Sequence, residues 1–425
     1  MSNKINTKKN SILLFLIWPF MALGYAIQNY KAVWAKDIVW LFVIFYGFTL
    51  ALANNNGGEN SRDAYRYRVK FTAMAHEDIT FGNIASQFYD EDSETQNLDI
   101  IELSILFLLS RFTDNYHVLF CVFGLIFGYF YSRNIWYLIE KAGKRITSAN
   151  IPVIITFAFI VGFWEINGFR FWSASHIFLY GTLPFLYEGK KKYLWFSILS
   201  VFMHFAFLLP VAILGIFVLT GSRVNMYFFL FITTFFIKEL NISQIRDFLS
   251  GHLPAIFLPK IKTYTNEDYA EKLSTAFENV NWYVTLYQQI LKWTIVSFIV
   301  VMFLKGRKFI THYKGMENLF CFTLLLCSVA NVFALMPSGG RFVILSNLFS
   351  MAMIFFYMQY APRGKAMKNL LPFALPGLVL FSVVSMRIGL DTMGFFSVFG
   401  NPLLSLFFDI NTSLIELIKG MLGFS

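Results

Sequence analysis

Residues 342–360 of this 425-residue chain have the sequence FVILSNLFSMAMIFFYMQY, which contains no charged side chain. An α-helix needs about 20 predominantly apolar residues to cross the hydrocarbon core of a bilayer. A backbone inside a membrane must satisfy its own hydrogen bonds, and a helix does so within the segment. This stretch therefore predicts a transmembrane helix.

Similar apolar runs follow one another along the chain with short polar connections. They cover residues 12–28, 38–53, 118–139, 151–166, 169–187, 193–220, 226–237, 284–304, 319–336, 342–360 and 370–386. The chain is 57% hydrophobic and only 14% charged, whereas soluble domains are about 25% charged. A water-soluble fold is thereby excluded, and no run shows the alternation of a barrel strand. We predict an all-α, polytopic membrane bundle of about 11–13 transmembrane helices, forming one integral membrane domain over residues 1–425.

Four short connections carry dense positive charge, which the positive-inside rule assigns to the cytoplasm. They contain Lys141, Lys144 and Arg145; Lys190, Lys191 and Lys192; Lys305, Arg307, Lys308 and Lys314; and Arg363, Lys365 and Lys368. The alternation of spans then requires residues 193–220 to cross and return, as a broken helix or a tight pair hinged near Pro210. The turns near Asn167 and Ser338 become external.

Two long connections, residues 54–98 and 241–281, mix acidic and basic side chains. Loops of this length in a compact bundle are usually functional, and we predict both to be external. Residues 392–425 are predicted to form a membrane-associated C-terminal tail.

The segment 100–112 is too short to span a membrane comfortably, which leaves two topologies open. If residues 54–98 are external, this segment re-enters the membrane and the N-terminus is external too. If it spans, residues 54–98 become cytoplasmic. Lys31 and Lys36 favour the first arrangement, whereas Lys4, Lys8 and Lys9 favour the second.

A few polar residues fall on the predicted external side, where topology does not require charge. Glu165, Asn167 and Arg170 lie in a turn before a helix, Arg341 begins another helix, and His204 lies deep in an apolar run. Two arginines, one histidine and the N–H groups of helix N-termini would form an anion-binding pocket. Alternatively, each arginine is an interfacial anchor and His204 bonds a nearby carbonyl. His117 and His176 are predicted to be structural or interfacial.

The segment 61–68, SRDAYRYR, alternates charges with aromatic rings, as a sugar-binding surface does. An amphipathic interfacial helix is the alternative interpretation. Further on, Asp90-Glu91-Asp92 is better interpreted as a solvated acidic loop than as a metal ligand set, and we predict no metal site. Cys121, Cys321 and Cys327 lie in apolar runs and are predicted to be small buried hydrophobes. The net charge of +10 fits cytoplasmic anchoring better than nucleic-acid binding.

Four motifs occur in order along the chain: Asp63-Ala64-Tyr65-Arg66-Tyr67, Asn167-Gly168-Phe169-Arg170, Met203-His204-Phe205 and Gly340-Arg341-Phe342. Together they resemble the EpsG/Wzy-like family of bacterial polymerases for O-antigen, capsule or exopolysaccharide. Members of that family commonly carry Gln after the arginine of the second motif, where this chain has Phe171. The resemblance implies a glycosyltransferase-C-like fold and polymerisation of undecaprenyl-diphosphate-linked repeat units. It places this activity at the outer, periplasmic face of the bacterial inner membrane.

The chemistry of the residues is compatible with that activity. Guanidinium groups match phosphate oxygens, so Arg170 and Arg341 are expected to hold the diphosphate and stabilise its departure without a metal or cofactor. His204 or Asp63 would deprotonate or orient the acceptor hydroxyl. The predicted substrate-binding residues are Arg170, Arg341, Arg66, Tyr67 as a sugar platform, Asn167 and Glu102.

Two other functions stay open at this stage. A transporter or flippase of lipid-linked sugars would need internal repeats and charges that line a path through both leaflets, and the sequence has no convincing duplication. An O-antigen-type ligase would share the donor chemistry and differ in the acceptor. The expected partners are the lipid-linked donor and acceptor, the bilayer and a chain-length-regulating copolymerase, but not nucleic acid.

Overall fold

A computed structural model describes residues 2–52, 63–77, 79, 82, 99–143, 145–237, 242–252, 258, 261–262, 265, 281–361, 364–408 and 411–423. These residues are almost entirely helical, and the β-pairing found among them is limited to the isolated bridges Leu50–Met393 and Gly394–Ser413. The predicted all-α class is confirmed.

The helices follow one another in a simple order. They are α1 (Ser2–Ile17), α2 (Pro19–Gln28), α3 (Ala35–Phe48), α4 (Asp63–His76), α5 (Ile100–Ser110), α6 (Tyr116–Lys141), α7 (Ile151–Ile160), α8 (Phe169–Glu188), α9 (Leu194–Met203), α10 (Leu208–Thr220), α11 (Val224–Thr233), α12 (Ile242–His252), α13 (Trp282–His312), α14 (Lys314–Phe333), α15 (Gly340–Tyr360), α16 (Lys365–Gly389), α17 (Phe395–Phe399), α18 (Leu404–Phe407) and α19 (Leu414–Met421). Short 3₁₀ turns, among them Phe163–Gly168 and Phe205–Phe207, connect some of them.

Several helices have the length and composition of membrane spans. Within the described ranges, six helical runs qualify, namely Tyr116–Lys141, Ser148–Glu188, Trp282–His312, Lys314–Phe333, Gly340–Tyr360 and Lys365–Gly389. Shorter apolar runs lie at Ile100–Ser110, Phe205–Thr220 and Val224–Phe236. The protein is therefore a multi-pass membrane protein, as predicted, whereas the number of about 11–13 spans stays a prediction.

One end of the bundle gathers the basic loops, and we call it the basic end. Lys141 and Lys190 both pair with Glu188, at 2.7 and 3.0 Å. The amide of Gln359 donates to the carbonyl of Ala142 at 2.9 Å. The other basic loops reach the same end through the contacts Lys314–Ser222, Asn318–Leu186 and Phe309–Tyr357. The predicted grouping is confirmed for the described residues, which do not include Lys144 and Arg363.

The opposite end carries the turns near Asn167 and Ser338, which the sequence predicts to lie on the other side of the membrane from the basic loops. Helix α8 has 20 residues, so its first residue lies about 30 Å from the basic end. Helices α9 and α10 form the predicted crossing and return, because Ser222, just after α10, contacts Asn318 at the basic end. The reversal lies at His204, whose backbone is extended (φ −150°, ψ 118°), and not near Pro210. Pro210 instead lies in the first turn of α10, where its missing N–H costs little.

The N-terminal helices and α5 bear on the two open topologies. The pair Lys36–Glu140 at 2.8 Å puts the beginning of α3 at the basic end. The contact between Phe20 and Phe42, with ring centroids 6.2 Å apart, shows α2 packing alongside α3. Helix α5 has 11 residues, about 16 Å, and the residues on both sides of it lie at the opposite end. The re-entrant arrangement is therefore favoured, and the membrane side of the N-terminus stays a prediction.

Helices α3 and α6 touch through glycines. A Cβ atom at Gly124 would lie 2.6 Å from the carbonyl oxygen of Val43, and one at Gly128 would lie 2.8 Å from the Val43 Cβ. Small residues spaced four apart let two membrane helices approach closely. This contact holds the end of α3 beside the beginning of α6, at the end of the bundle opposite the basic end.

The predicted long loops are only partly within the described residues. Helix α4 belongs to 54–98 and α12 to 241–281, while Asp90-Glu91-Asp92 lies outside the described residues. The tail after residue 392 forms the short helices α17, α18 and α19. The domain boundaries and the membrane association of this tail stay predictions.

Candidate functional site

Arg170 is the second residue of α8 and follows the 3₁₀ turn Phe163–Gly168, which reverses the chain. Its Nη1 atom lies 3.1 Å from Oδ2 of Asp99. Its Nε–H donates to the hydroxyl of Tyr67, also at 3.1 Å, and its guanidinium lies 5.6 Å from the centre of the Tyr67 ring. Two other segments of the chain therefore hold the guanidinium.

Asp99 joins three parts of the site and is not among the site residues predicted from the sequence. It precedes α5 and its side chain is 3% exposed. Besides contacting Arg170, it accepts a hydrogen bond from the N–H of Phe205 at 2.9 Å through Oδ1. The same oxygen lies 3.8 Å from Nδ1 of His204. One buried carboxylate thus connects α5, α8 and the reversal between α9 and α10.

His204 lies at that reversal, and its ring has a local structural role. Its Nδ1 accepts a hydrogen bond from the N–H of Ala206 at 3.2 Å and so caps the turn Phe205–Phe207. In the neutral ring the proton is then on Nε2, which makes that nitrogen a donor.

Arg341 lines a cavity of about 260 Å³ at the same end of the bundle. It is the second residue of α15, and its guanidinium lies 5.7 Å from the centre of the Phe171 ring. The cavity is also lined by Asp63, Trp164, Glu165, Asn167, Gly168, Phe171, Trp172, Ile388 and Thr392. It therefore combines a cation, two carboxylates and an amide with several aromatic rings.

Phe171 stands between His204 and Arg341. Its ring centroid lies 5.4 Å from the His204 ring in an edge-to-face arrangement, and it also packs on Phe342 at 5.8 Å. In the family that the motifs resemble, this position is commonly Gln. Here an apolar ring separates the two polar groups and forms part of the cavity wall.

Asp63 and Arg66 lie in the first turn of α4 and form an ion pair at 2.6 Å. Asp63 lines the cavity, whereas the Arg66 side chain is 65% exposed. Of the predicted site residues, Asp63, Asn167 and Arg341 therefore line the cavity together. Arg170, His204 and Tyr67 form the cluster around Asp99 beside it.

Glu102 is the buried member of a second ion pair, whose lysine, Lys70, is 34% exposed. The Glu102 side chain is 1% exposed and its carboxylate lies 3.8 Å from the ammonium of Lys70. Burial lowers the pKa of Lys70, while the nearby Glu102 charge opposes that shift. Burial also raises the pKa of Tyr67, which keeps its phenol protonated. Asp99 and Glu102 thus balance the positive charges of Arg170 and Lys70.

The site residues that were not predicted, Asp99 and Lys70, have only weak local sequence signals. Asp99 precedes an apolar helix with Glu102 three positions later, the spacing of residues around a helix N-terminus. Lys70 lies one helical turn after Tyr67. The histidines predicted to be structural do bond main-chain carbonyls, His117 that of Phe48 at 2.9 Å and His176 that of Val161 at 3.2 Å.

Two of the three cysteines are buried as predicted, and the predicted burial of Cys121 is only partial. Cys321 and Cys327 are buried, and Cys121 is partly exposed. Among the described residues, no three His, Cys, Asp or Glu side chains come together as a metal-binding group.

The chain matches a known protein family along most of its length. The sequence profile of the EpsG family matches residues 39–397, a range that contains all four motifs around the cavity and the Asp99 cluster. No curated protein and no solved structure matches the chain. The family indicates a role in polysaccharide biosynthesis. This multi-pass membrane protein belongs to the EpsG family.

Proposed function

We propose that the protein is a glycosyltransferase that polymerises oligosaccharide repeat units carried on undecaprenyl diphosphate. The observation that carries this proposal is the cavity lined by Arg341, Asp63 and aromatic rings, beside an Arg170 that Asp99 and Tyr67 hold in place. A lipid-linked sugar presents a diphosphate and a glycan together, and this end of the bundle offers groups that suit both.

In the proposed reaction, a hydroxyl oxygen of the acceptor sugar bonds to the anomeric carbon of the donor. The bond from that carbon to the diphosphate oxygen breaks, and its electron pair leaves with undecaprenyl diphosphate. Arg341 binds this anionic leaving group, and Arg170 adds a second guanidinium through the N–H groups that Asp99 and Tyr67 leave available. Guanidinium groups aimed at developing negative charge lower the barrier to departure.

The proton of the acceptor hydroxyl needs an acceptor, and we assign it to Asp63. Asp63 lines the cavity, whereas Nδ1 of His204 is engaged in the turn that follows it. His204 then orients the reactants as a hydrogen-bond donor. Tyr67 is buried and packs on Phe123 with ring centroids 5.5 Å apart, so we assign it to positioning Arg170 instead of stacking on a sugar.

We also propose that this reaction takes place at the outer face of the inner membrane. The supporting observation is that the cavity lies at the end of the bundle opposite the basic loops, about 30 Å away along α8. Basic loops prefer the cytoplasm. A chain-length-regulating copolymerase is a proposed partner at that outer face.

The test is Arg341→Ala in the full-length protein, expressed in a strain that lacks the wild-type copy. We expect long polymer to disappear while single repeat units still reach the outer face. The matched control is Arg307→Ala, because the Arg307 guanidinium also lies 5.7 Å from a phenylalanine ring, that of Phe303, but at the basic end. Arg307→Ala should leave polymer lengths unchanged.

Other results would support the alternative functions. Repeat units that accumulate on the inner face would indicate a flippase. Polymer of normal length that is not transferred to its final acceptor would indicate a ligase. Wild-type polymer in Arg341→Ala would refute the proposed role of this cavity.

A further inference from the structure

A second cavity, of about 450 Å³, lies at the same end of the bundle. Among the residues that line it are polar side chains at the beginning of α6, Asp114 and Asn115, and Ser405 from α18. Aromatic rings form much of the remaining wall, including those of Tyr116, Phe396 and Phe407. Its volume is within the range of about 300–1,000 Å³ that is usual for small-molecule sites.

Only a thin wall separates this second cavity from the one at Arg341. Thr392 lines the first cavity, and Thr49 and Leu50 line the second. The N–H of Ala51 donates to the carbonyl of Thr392 at 3.1 Å, and the hydroxyl of Tyr46 lies 2.8 Å from that of Thr392. The two cavities therefore lie on either side of one pair of hydrogen-bonded chain segments.

Helix α4 also links the two cavities, through consecutive residues. Tyr67 contacts Arg170 and packs on Phe123 of α6. The next residue, Arg68, places its guanidinium 4.6 Å from the centre of the Tyr116 ring. Tyr116 precedes Phe123 by two turns of α6, about 10 Å. The second cavity thus continues the site toward the outer end of the bundle.

We propose that the second cavity binds the oligosaccharide of the repeat unit, beyond the sugar that reacts at Arg341. Aromatic faces beside a carboxylate, an amide and a hydroxyl match the C–H faces and hydroxyl groups of sugars. This inference rests on the proposed function and adds a second binding site to it.

The charge of the wall distinguishes a sugar from a phospholipid headgroup. Asp114 is a carboxylate with 64% of its side chain exposed, and the described residues lining the cavity include no lysine or arginine. The nearby basic side chains are already engaged, His76 with Asp114 and Arg68 on the Tyr116 ring. A lipid phosphate therefore finds no cation in the wall itself, whereas a sugar hydroxyl donates hydrogen bonds to a carboxylate.

The experiment uses the full-length protein in bilayer nanodiscs and a free oligosaccharide of one repeat unit, cleaved from the polymer of the same strain. Isothermal titration measures its binding to the wild type, Phe407→Ala and Asp114→Asn. We expect each variant to weaken binding by about three- to tenfold, because Phe407→Ala removes an aromatic face and Asp114→Asn replaces a charged hydrogen-bond acceptor by a neutral one. Both side chains are largely exposed, which preserves the fold.

Matched controls lie away from the cavity. Phe373→Ala removes a ring that is 84% exposed on α16, and Glu140→Gln neutralises a carboxylate that is 55% exposed at the basic end. Both should bind the oligosaccharide as the wild type does. Arg341→Ala should also bind it, because Arg341 is assigned to the diphosphate.

The outcomes separate the two proposals. If Phe407→Ala and Asp114→Asn bind as tightly as the wild type, the second cavity is not a saccharide site, whatever Arg341→Ala does to polymer. If these variants change the binding of spin-labelled phosphatidylglycerol and not of the oligosaccharide, the cavity is a lipid site and our inference is wrong. If Arg341→Ala still makes long polymer while Phe407→Ala and Asp114→Asn bind the oligosaccharide more weakly, the proposed function fails while saccharide binding in the second cavity stands.

Discussion

The carboxylate of Asp99 accepts a hydrogen bond from the guanidinium of Arg170 at 3.1 Å, and only 3% of the Asp99 side chain is exposed. Removing one partner of a buried ion pair is costly, because it leaves the other charge without compensation. We expect Asp99→Ala to lower the free energy of unfolding by about 3 kcal/mol. Thermal unfolding in detergent measures this loss.

Two comparisons test the origin of that effect. Asp99→Asn keeps an acceptor for the Phe205 N–H and should cost less than Asp99→Ala. Asp391→Ala removes a pair with Arg387 at 3.2 Å that is more exposed, and such pairs contribute about 0–1 kcal/mol. Equal losses in Asp99→Ala and Asp391→Ala would contradict the assigned role of Asp99.

Arg170→Lys tests whether the shape of the guanidinium matters beyond its charge. A lysine ammonium is a point charge on a flexible stem and lacks the planar fork. It is therefore not expected to bond Tyr67 and Asp99 and still face a diphosphate. We expect long polymer to be lost, as judged by glycolipid gels.

Arg133→Lys is the matched control for that substitution. Arg133 also bonds a carboxylate, that of Asp37 at 2.6 Å, and lies 4.8 Å from the ring centre of Trp40. It lies near the basic end and should tolerate lysine. Normal polymer in Arg170→Lys would show that charge alone suffices.

Tyr67→Phe removes the hydroxyl that accepts the Arg170 Nε–H and keeps the ring. Losing one such hydrogen bond costs about 1 kcal/mol, so we expect partial loss of polymerase rate with an intact fold. Because burial raises the pKa of Tyr67, its phenol stays neutral from pH 7 to 9, about one unit below the usual tyrosine pKa. The rates of wild type and Tyr67→Phe should therefore have the same pH dependence in that range.

The raised pKa of Tyr67 also affects how the free energy of unfolding depends on pH. The folded state disfavours the phenolate, so ionisation of Tyr67 in the unfolded chain lowers the free energy of unfolding only above about pH 10. A Tyr67-dependent loss of stability below that pH would contradict the neutral phenol.

Gly124→Ala tests the close contact of α3 and α6. The new Cβ would lie 2.6 Å from the carbonyl oxygen of Val43, and overpacking of this kind typically costs about 1–3 kcal/mol. We expect a lower unfolding temperature. Gly215→Ala in α10 is the control, because a Cβ there meets no atom within 4 Å, and alanine is the better helix former.

The helical class and the two ends of the bundle could be predicted from sequence because apolar length and lysine position are local properties. Arg170, His204 and Arg341 were identified for the same reason, since a charge or imidazole in an apolar run is conspicuous. The sequence predicts the chain reversal near Pro210, because proline is the stronger local signal, whereas the structure has it at His204. The side chain that bonds the main chain at this reversal, that of Asp99, lies more than 100 residues earlier in the sequence.

Asp99 and Lys70 show why part of the site could not be found. Each lies in a polar or amphipathic segment, where charged residues are ordinary. The burial of Asp99 and the pairing of Lys70 with Glu102 result from α4 and α5 packing against each other and against α8 and the reversal after α9, which is a property of the assembled bundle. Phe171 is similar, because its position between His204 and Arg341 depends on three separate helices.

The site residues Asp63, Asp99, Arg170, His204 and Arg341 all stand at or next to the beginning of a helix or helical turn, and each begins a different one. Apart from the local bonds of Asp63 with Arg66 and of His204 with Ala206, the side-chain contacts described for these residues come from other parts of the chain. The complete set of side chains therefore comes together only when these helices have packed against one another. Under the proposed function, polymerase activity would therefore also measure whether the whole bundle has assembled.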